Sequence, residues 1–512
     1  MKFNNKNIVS EFKQVNATRL LKMGLFAFLV GVTLVGCKVG EPYKRPDFST
    51  DDTGKFYSPD GVATDSILME GVEPKDTTLL AAIPWKSYIQ DTVLVALIDE
   101  ALSNNIDMQK TMQELQIGME QLEQSKANFY PSLNSTPGGY RREYYSENYN
   151  NYGSNRARTN HGEDVPTSFY TERMEYTSAL QASWEADIWG KLRWKKEAAR
   201  AQYMKSLEFK KAVQTSLISE VASTYYNLLM LKAQVAVATK TYQLNDSTLN
   251  IVKLQYDAGE STSLAVRQTQ SRMLKSKTLV PQLERQYAIV ENHLNYLLGR
   301  APQPIVITTR LDEVSFQRIY STGVPLDLIK NRPDVAMAEY ELMKRNAKAG
   351  VAEALKYPSL TIDASAGLNS RTLSNFFDPV GSGFALLNGS IFQPIFNNRK
   401  LKTNYRVALS EKEIAQLDFK DNLLLAIGDV STSLATINKL EEEYAIAQER
   451  IQVTRQGLKD AGLLFKSGFA NYLEVITAQS DALESELNLI DIKKQILIAN
   501  IELYRSLGGG WQ

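Results

Sequence analysis

The sequence predicts a mixed α and β fold built twice over, in which long α-helical hairpins are joined to pairs of short strands. Three observations predict it. The first is a tandem repeat. The stretch "LQYDAGESTSLAVRQTQS" (254–271) matches "LLFKSGFANYLEVITAQS" (463–480) at a constant offset of 209, pairing Leu254 with Leu463, Gly259 with Gly468, Leu264 with Leu473, Val266 with Val475 and Gln270 with Gln479. The same offset carries Leu298-Gly299 onto Leu507-Gly508. A repeat of this kind sets the architecture before any single element does. The second observation is a pair of long helical runs, 191–257 and 399–467, each with one apolar seam; the first holds no proline. The third is period-two alternation, strict at 360–369 and weaker at 176–185.

In chain order, residues 1–36 read as an export signal. Lys2, Lys6, Lys13, Arg19 and Lys22 form a basic region ahead of the apolar run "MGLFAFLVGVTLVG" (23–36). That run is shorter than the roughly 20 helical residues needed to span a bilayer. Leu34-Val35-Gly36-Cys37 then resembles the lipobox of bacterial lipoproteins, which makes Cys37 the expected acylated N-terminus. Two or more acyl chains hold a protein stably on a membrane. Cys37 is also the only cysteine, so no internal disulfide can form. Residues 37–85 are the expected lipid-anchored extension.

The first repeat is placed at 86–300. A helix leads into Tyr130-Pro131-Ser132-Leu133, and the same four residues recur at 357–360. This second offset is 227, so the first half carries 18 extra residues between its YPSL and its glycine. The Tyr-, Asn- and Ser-rich segment 143–164 is the expected exposed loop holding most of them. In "YTSALQASWE", Tyr176, Leu180 and Trp184 oppose Thr177, Gln181 and Glu185; in "LTIDASAGLN", Leu360, Ile362, Ala364, Ala366 and Leu368 oppose Thr361, Asp363, Ser365, Gly367 and Asn369. Such alternation fits a half-buried strand. In a membrane barrel the apolar face meets lipid and the polar face lines water, with Tyr176 and Trp184 as interfacial aromatics. Alternation alone equally fits the flank of a soluble sheet.

The run 191–257 carries the seam Leu217, Val221, Tyr225, Leu228, Leu249, Val252 and Tyr256. At the helical rise each long run spans about 100 Å, a length of coiled coils and helical repeats. Gly259 and Gly468 are the expected turns of two hairpins. The return arms are 261–298, with Pro281 an expected kink, and 469–506. A Pro-containing linker occupies 301–330, the second repeat 331–508, and a tail 509–512.

Composition narrows the function. Lys plus Arg and Asp plus Glu stand at 58 each, so no net field favours nucleic acid. The mean hydropathy is −0.29, and no later stretch is apolar enough for a transmembrane helix. The two histidines, His161 and His293, are far apart, which argues against histidine-based hydrolysis or zinc chemistry. His161, Glu163 and Asp164 could ligate a metal, but they read more simply as a solvated loop. Arg332 and Asp334 in "NRPDV" resemble a charged active pair, but Asn331, Pro333 and Asp334 fit a helix start. The "GSG" at 381–383 lacks the Lys-Ser/Thr of a nucleotide loop. No catalytic constellation, metal site or cofactor is expected.

The motifs together resemble one family over nearly the whole mature chain. They are "PYKRP" (42–46), "ASWEADIWGKLR" (182–193), "ASTYYNLL" (222–229), "YDAG" (256–259), "NYLLG" (295–299), "NRPDVAMAEYEL" (331–342), "FQPIFNNRKL" (392–401), "SGFANYLEVITAQ" (467–479) and "LYRSLGGGW" (503–511). Their order, spacing and duplication resemble the TolC-like outer-membrane factors, in the lipoprotein branch typified by OprM and NodT. The resemblance implies a homotrimer in which each chain gives four strands to one twelve-stranded transmembrane β-barrel. The helical hairpins would continue as a periplasmic tunnel, with 301–330 around its middle. Four strands cannot close alone, and open edges are not tolerated in lipid.

The function implied is a passive outer-membrane duct of a tripartite efflux system, coupled through a periplasmic adaptor to an inner-membrane pump. A channel for type I protein secretion is the nearest alternative. A non-conducting coiled-coil lipoprotein is a second, although a rod would not need the alternating strands. In the family the hairpin ends meet the adaptor, which points to Ala258, Gly259, Ser467 and Gly468. Family carboxylates just beyond the second turn ring the gate; Glu474 matches one such position, while Thr477 stands at the next and Ala265 is the first-repeat equivalent of Glu474. Glu474 reads equally as a solvated helix-surface residue.

Overall fold

The computed structural model describes residues 38–46, 83–146, 170–314 and 331–511. Cys37, the export signal, the loop with His161, Glu163 and Asp164, and most of the linker lie outside the described residues. In chain order the elements are α1 (Trp85–Tyr88), α2 (Thr92–Asn104), α3 (Ile106–Ala127), β1 (Ser132–Ser146), β2 (Tyr170–Ala186), α4 (Lys191–Asp257), α5 (Ser263–Leu297), α6 (Pro333–Ala354), β3 (Ser359–Ser370), α7 (Leu373–Phe376), α8 (Pro379–Ser382), β4 (Gly383–Phe392), α9 (Lys400–Lys466) and α10 (Tyr472–Ser506).

The duplication is exact in length for the helices. The outgoing helices α4 and α9 each have 67 residues, and the return helices α5 and α10 each have 35. The return helices start two to three residues later than the sequence predicts, because Thr262 and Asn471 act as N-caps. The Thr262 hydroxyl accepts from Ala265 N, and the Asn471 side chain accepts from Leu473 N and Glu474 N. Such caps satisfy amides that the first helical turn leaves open. At Pro281, the expected kink site, α5 continues as one helix. Val280 and Leu283 on either side pack into a cluster with Leu231 and Ala238, which holds the helix across the missing hydrogen bond.

The chain forms two compact units, each drawing on both repeats. The first comprises 38–44, 119–201 and 343–413 among the described residues. It contains one antiparallel sheet of order β1-β2-β3-β4. The repeats meet at β2–β3, where Trp184 lies opposite Ile362 and Leu180 opposite Ala366. Pro137 and Gly138 fall at an irregularity between Thr136 and Gly139 in β1, where a strand tolerates a proline. The strands of the first pair are longer, at 15 and 17 residues against 12 and 10. Part of the extra length of the first half thus falls in the strands themselves: residues 143–146 of the expected exposed loop belong to β1, and the rest of that loop up to 164 lies outside the described residues.

The second unit comprises 45–46, 83–118, 202–314, 331–342 and 414–511. Its core holds Leu217, Val221, Tyr225, Leu228, Leu249 and Val252, six of the seven predicted seam residues. Tyr256 is exposed instead, whereas its equivalent in the second repeat, Phe465, is buried. Near α1, the Tyr225 hydroxyl donates to Asp91 Oδ2 at 2.7 Å, while Asp91 Oδ1 caps α2 through Val93 N. Burial pushes the Tyr225 hydroxyl well above its usual range, so it remains a donor. Tyr88 stacks on Tyr504, whose hydroxyl donates to Ile83 O.

Candidate functional site

Both hairpin turns are built alike. Gly259 and Gly468 have φ of 80° and 78°. Gly259 N donates to Tyr256 O and Glu260 N to Gln255 O; Gly468 N donates to Phe465 O and Phe469 N to Leu464 O. These are Schellman closures, which need a left-handed residue just past the helix. The same pair of bonds recurs at Gly299 and Gly508, each 40 residues further on. The two sets differ in their surroundings. A Cβ at Gly299 would lie 2.3 Å from Asn104 O, and one at Gly508 2.5 Å from Asn331 O, whereas nothing lies within 4 Å of one at Gly259 or Gly468. At the inner glycines an added Cβ would collide with neighbouring backbone; the tip glycines face open space.

Ala258, Gly259, Ser467 and Gly468 are all exposed. The structure adds a feature the sequence reading missed. Leu254 and Leu463, and Leu264 and Leu473, are exposed at equivalent positions on the two tips, and Phe469 is 85% exposed. The offset of 209 pairs these leucines, but only coordinates show that they point outward. Behind them, Val252, Ala265, Phe465 and Val475 bury the contact between the hairpins, and Tyr472 Oη donates to Gln268 Oε1 at 2.7 Å. Glu474 is exposed on the first turn of α10, and its Oε2 accepts from Asn471 N at 3.2 Å in a capping box. Thr477 is exposed and Ala265 is buried, so Glu474 is the one carboxylate among these three positions.

A second repeat-related feature lies at the inner ends of the return helices. Asn104-Asn105 and Asn331-Arg332 are related by the 227 offset. Asn105 Nδ2 donates to Leu297 O at 2.9 Å, and Arg332 Nη1 donates to Ser506 O at 2.9 Å, carbonyls that the 209 offset makes equivalent. Arg332 also holds Asp334 through two bonds (3.0 and 2.6 Å) and Asp429 at 2.9 Å. The pair weighed as an active centre is therefore a structural clamp at the start of α6.

The sheet separates its faces. Leu133, Leu180, Trp184, Leu360, Ile362, Ala364, Ala366, Leu387 and Ile391 share one face by register. On the other, Ser183 Oγ donates to Asp363 Oδ1 at 2.6 Å and Asn369 Nδ2 to Glu175 Oε1 at 2.8 Å. Phe384 and Leu386 join that polar face from β4. Leu387 and Ile391 are 76% and 75% exposed, so among the described residues nothing covers the apolar face there. Tyr176 clusters with Tyr140 and Phe376 at centroid distances of 5.4 and 6.5 Å. Trp184 Nε1 donates to Phe129 O at 2.9 Å. Tyr176 and Trp184 are eight positions apart, roughly 26 Å along a strand, which a barrel strand's tilt of about 35–45° reduces to about 18–21 Å of height, within the ~25 Å apolar band of a membrane barrel.

Beside the sheet, "ADIWGKLR" explains itself residue by residue. Asp187 accepts from Leu192 N and Arg193 N at the head of α4, and Trp189 Nε1 donates to Pro358 O. Trp194 is buried, donates to Val39 O at 2.6 Å and carries the Lys38 ammonium over its ring at 3.5 Å. The residues immediately after Cys37 are thus seated on Trp194. Among the described residues, no helix is long and apolar enough to cross a membrane, and no group of three or more His, Cys, Asp or Glu could hold a metal.

A duplicated helical hairpin and a four-stranded sheet with one apolar face define the class by fold, the TolC-like fold of solved outer-membrane channels. Residues 97–300 and 324–509 match the family described as Outer membrane efflux protein, and the chain belongs to that family. It is 27% identical over 497 residues to the toluene efflux pump outer membrane protein TtgF of Pseudomonas putida, covering 96% of this chain and 98% of that one. It is 26% identical over 493 residues to the cation efflux system protein CusC of Escherichia coli K12, covering 95% and 99%. The solved outer-membrane channel OprN superposes with a TM-score of 0.79 at 20% identity, covering 93% of this chain and 100% of that one. The protein is an outer-membrane efflux channel component.

Proposed function

We propose that three copies of this chain close a twelve-stranded barrel and form a passive exit duct, fed by an inner-membrane pump through a periplasmic adaptor. The observation that carries this is the sheet: among the described residues the outer edges of β1 and β4 are unpaired, and the apolar face is uncovered at Leu387 and Ile391. A membrane tolerates such edges only if another copy pairs with them. Ile414, Leu417 and Leu424 support the same reading, because they expose an apolar stripe at three- and seven-residue spacing on α9. Cross-linking and native mass in detergent test it. A trimer is expected, and a stable monomer with an intact sheet would refute closure between copies.

In this reading the tips at Ala258-Gly259 and Ser467-Gly468 receive the adaptor, and Glu474 lies at the periplasmic gate. Tyr176 and Trp184 mark the two membrane interfaces. Cys37 carries the acyl anchor, which predicts that Cys37→Ser loses fatty-acid label; equal label in both proteins would remove the anchor. The relatives named for toluene and for cations differ in cargo, so family membership assigns the duct and not what passes through it. The chain performs no catalysis; transport energy comes from the pump.

A further inference from the structure

The two repeats differ in charge where their long outgoing helices begin. The offset of 209 aligns "EADIWGKLR" (185–193) with "PIFNNRKLK" (394–402), so Lys191 matches Lys400 and Arg193 matches Lys402. In the first repeat these cations are answered by carboxylates just ahead of the helix. Lys191 Nζ meets Glu185 Oε1 at 2.6 Å, and Arg193 Nε meets Asp187 Oδ2 at 3.0 Å. The second repeat has Pro394 and Phe396 in place of those carboxylates, and Arg406 in place of Glu197. Arg399 stands where the first repeat has Gly190. Both take a left-handed turn, at φ of 64° and 79°, a conformation that disfavours any side chain.

The result is a surface patch of one sign. Arg399, Lys400, Lys402 and Arg406 are exposed, and among the described residues no side chain pairs with them. The sequence holds no Asp or Glu between Asp378 and Glu411, and Glu411 is held by Arg345 at 2.7 Å. Beside the cations, Ile395 and Phe396 are 97% and 86% exposed. They follow closely on Ile391, the last residue of β4 on the apolar face of the sheet.

We propose that this patch, residues 395–406, seats the channel on anionic phospholipid headgroups of the periplasmic leaflet. The inference rests on the duct reading, which puts the sheet in the outer membrane and the long helices in the periplasm. The chemistry is that of an amphipathic membrane contact, in which apolar side chains enter the acyl boundary while cations stay at headgroup level. Lys and Arg beside an anionic leaflet attract its lipids, and a guanidinium grips a phosphate through two parallel hydrogen bonds. A zwitterionic headgroup carries the same phosphate without net charge, so the patch prefers lipids of net negative charge. The first repeat is the built-in comparison, because its matching cations are already paired.

Native mass spectrometry of the full protein, released from nanodiscs of mixed phosphatidylglycerol and phosphatidylcholine, tests this. The wild type is expected to retain phosphatidylglycerol over phosphatidylcholine by about tenfold or more. Arg399→Gln, Lys400→Gln, Lys402→Gln and Arg406→Gln together should erase that preference, whereas Lys191→Gln should keep it. No preference in the wild type, or one that survives the combined variant, overturns the proposal. Loss of association between copies with the preference intact also overturns it, since the patch then meets a second copy and not lipid. If the combined variant does not insert, single variants at equivalent positions decide. Lys400→Gln should then lower the preference by about fivefold and Lys191→Gln should not, and equal effects overturn the seat. Failure of the duct reading is distinguishable. A wild type that is silent in a planar bilayer yet retains phosphatidylglycerol keeps the seat and loses the duct, and a conducting one without the preference does the reverse.

Discussion

Arg332 shows how one side chain can replace a set of contacts. Its guanidinium reaches two carboxylates and the Ser506 carbonyl from a site where it is 8% exposed. Arg332→Met strands these partners and is expected to cost about 2 kcal/mol, less than a fully buried pair because Asp334 and Asp429 are half exposed. The thermal midpoint of the detergent-solubilised protein measures it, and an unchanged midpoint would remove the clamp. The loss depends on pH. Burial acts to raise the Asp334 pKa, but the Arg332 guanidinium overrides it and holds the carboxyl below its usual range. A depressed folded-state value contributes stability that is present above the ordinary carboxylate pKa near about 4 and is lost as acid titrates the pair. The gap between wild type and variant should therefore narrow below that pH. Sequence placed Pro333 and Asp334 at a helix start but did not link Arg332 to Asn105. The two residue types differ in size and charge, and what they share is the carbonyl they bond.

At the scale of the element, alternation made the faces of β3 legible and left its partners open. Period two fixes which side chains share a face, whereas pairing across repeats at β2–β3 depends on contacts no local pattern encodes. The faces give a test. Leu387 lies near the middle of β4 on the apolar face, and Asn388 is its neighbour on the polar face opposite Asp363. Leu387→Arg should block assembly in the outer membrane, with a cost of about 2–4 kcal/mol expected near the bilayer midplane. Asn388→Arg should be tolerated beside Asp363. Comparable amounts of folded protein in membranes for both variants would mean that the apolar face does not meet lipid. The hairpin turns were legible because glycine at positive φ leaves a fixed mark in sequence; the exposed Leu254, Leu463, Leu264 and Leu473 were not, because seam and surface leucines read alike. Ser467→Trp keeps Gly468 and adds bulk in open space. It should preserve folded yield while abolishing efflux and adaptor cross-linking; normal efflux would exclude the tips as the docking point. The burial of Thr241, Asn245 and Thr248 on α4 was not legible for a related reason, since these residue types look like solvent positions until other helices close over them.

At the scale of the whole molecule, the chain is an incomplete object. The sheet has two open edges, α9 exposes an apolar stripe, and the two tips present equivalent surfaces. Family membership makes it an outer-membrane efflux channel component, and the closure between copies proposed above would turn those unfinished surfaces into a conduit. The purified wild-type protein in a planar lipid bilayer tests this most directly, with Glu474→Gln recorded beside it. Glutamine preserves the capping box at Asn471 and removes only the charge. The account predicts discrete single-channel steps for the wild type, and weaker block by divalent cations for Glu474→Gln. Unchanged block would take Glu474 out of the gate alone. Trimeric, membrane-inserted wild-type protein that passes no current under any applied voltage or ionic condition would contradict the duct itself.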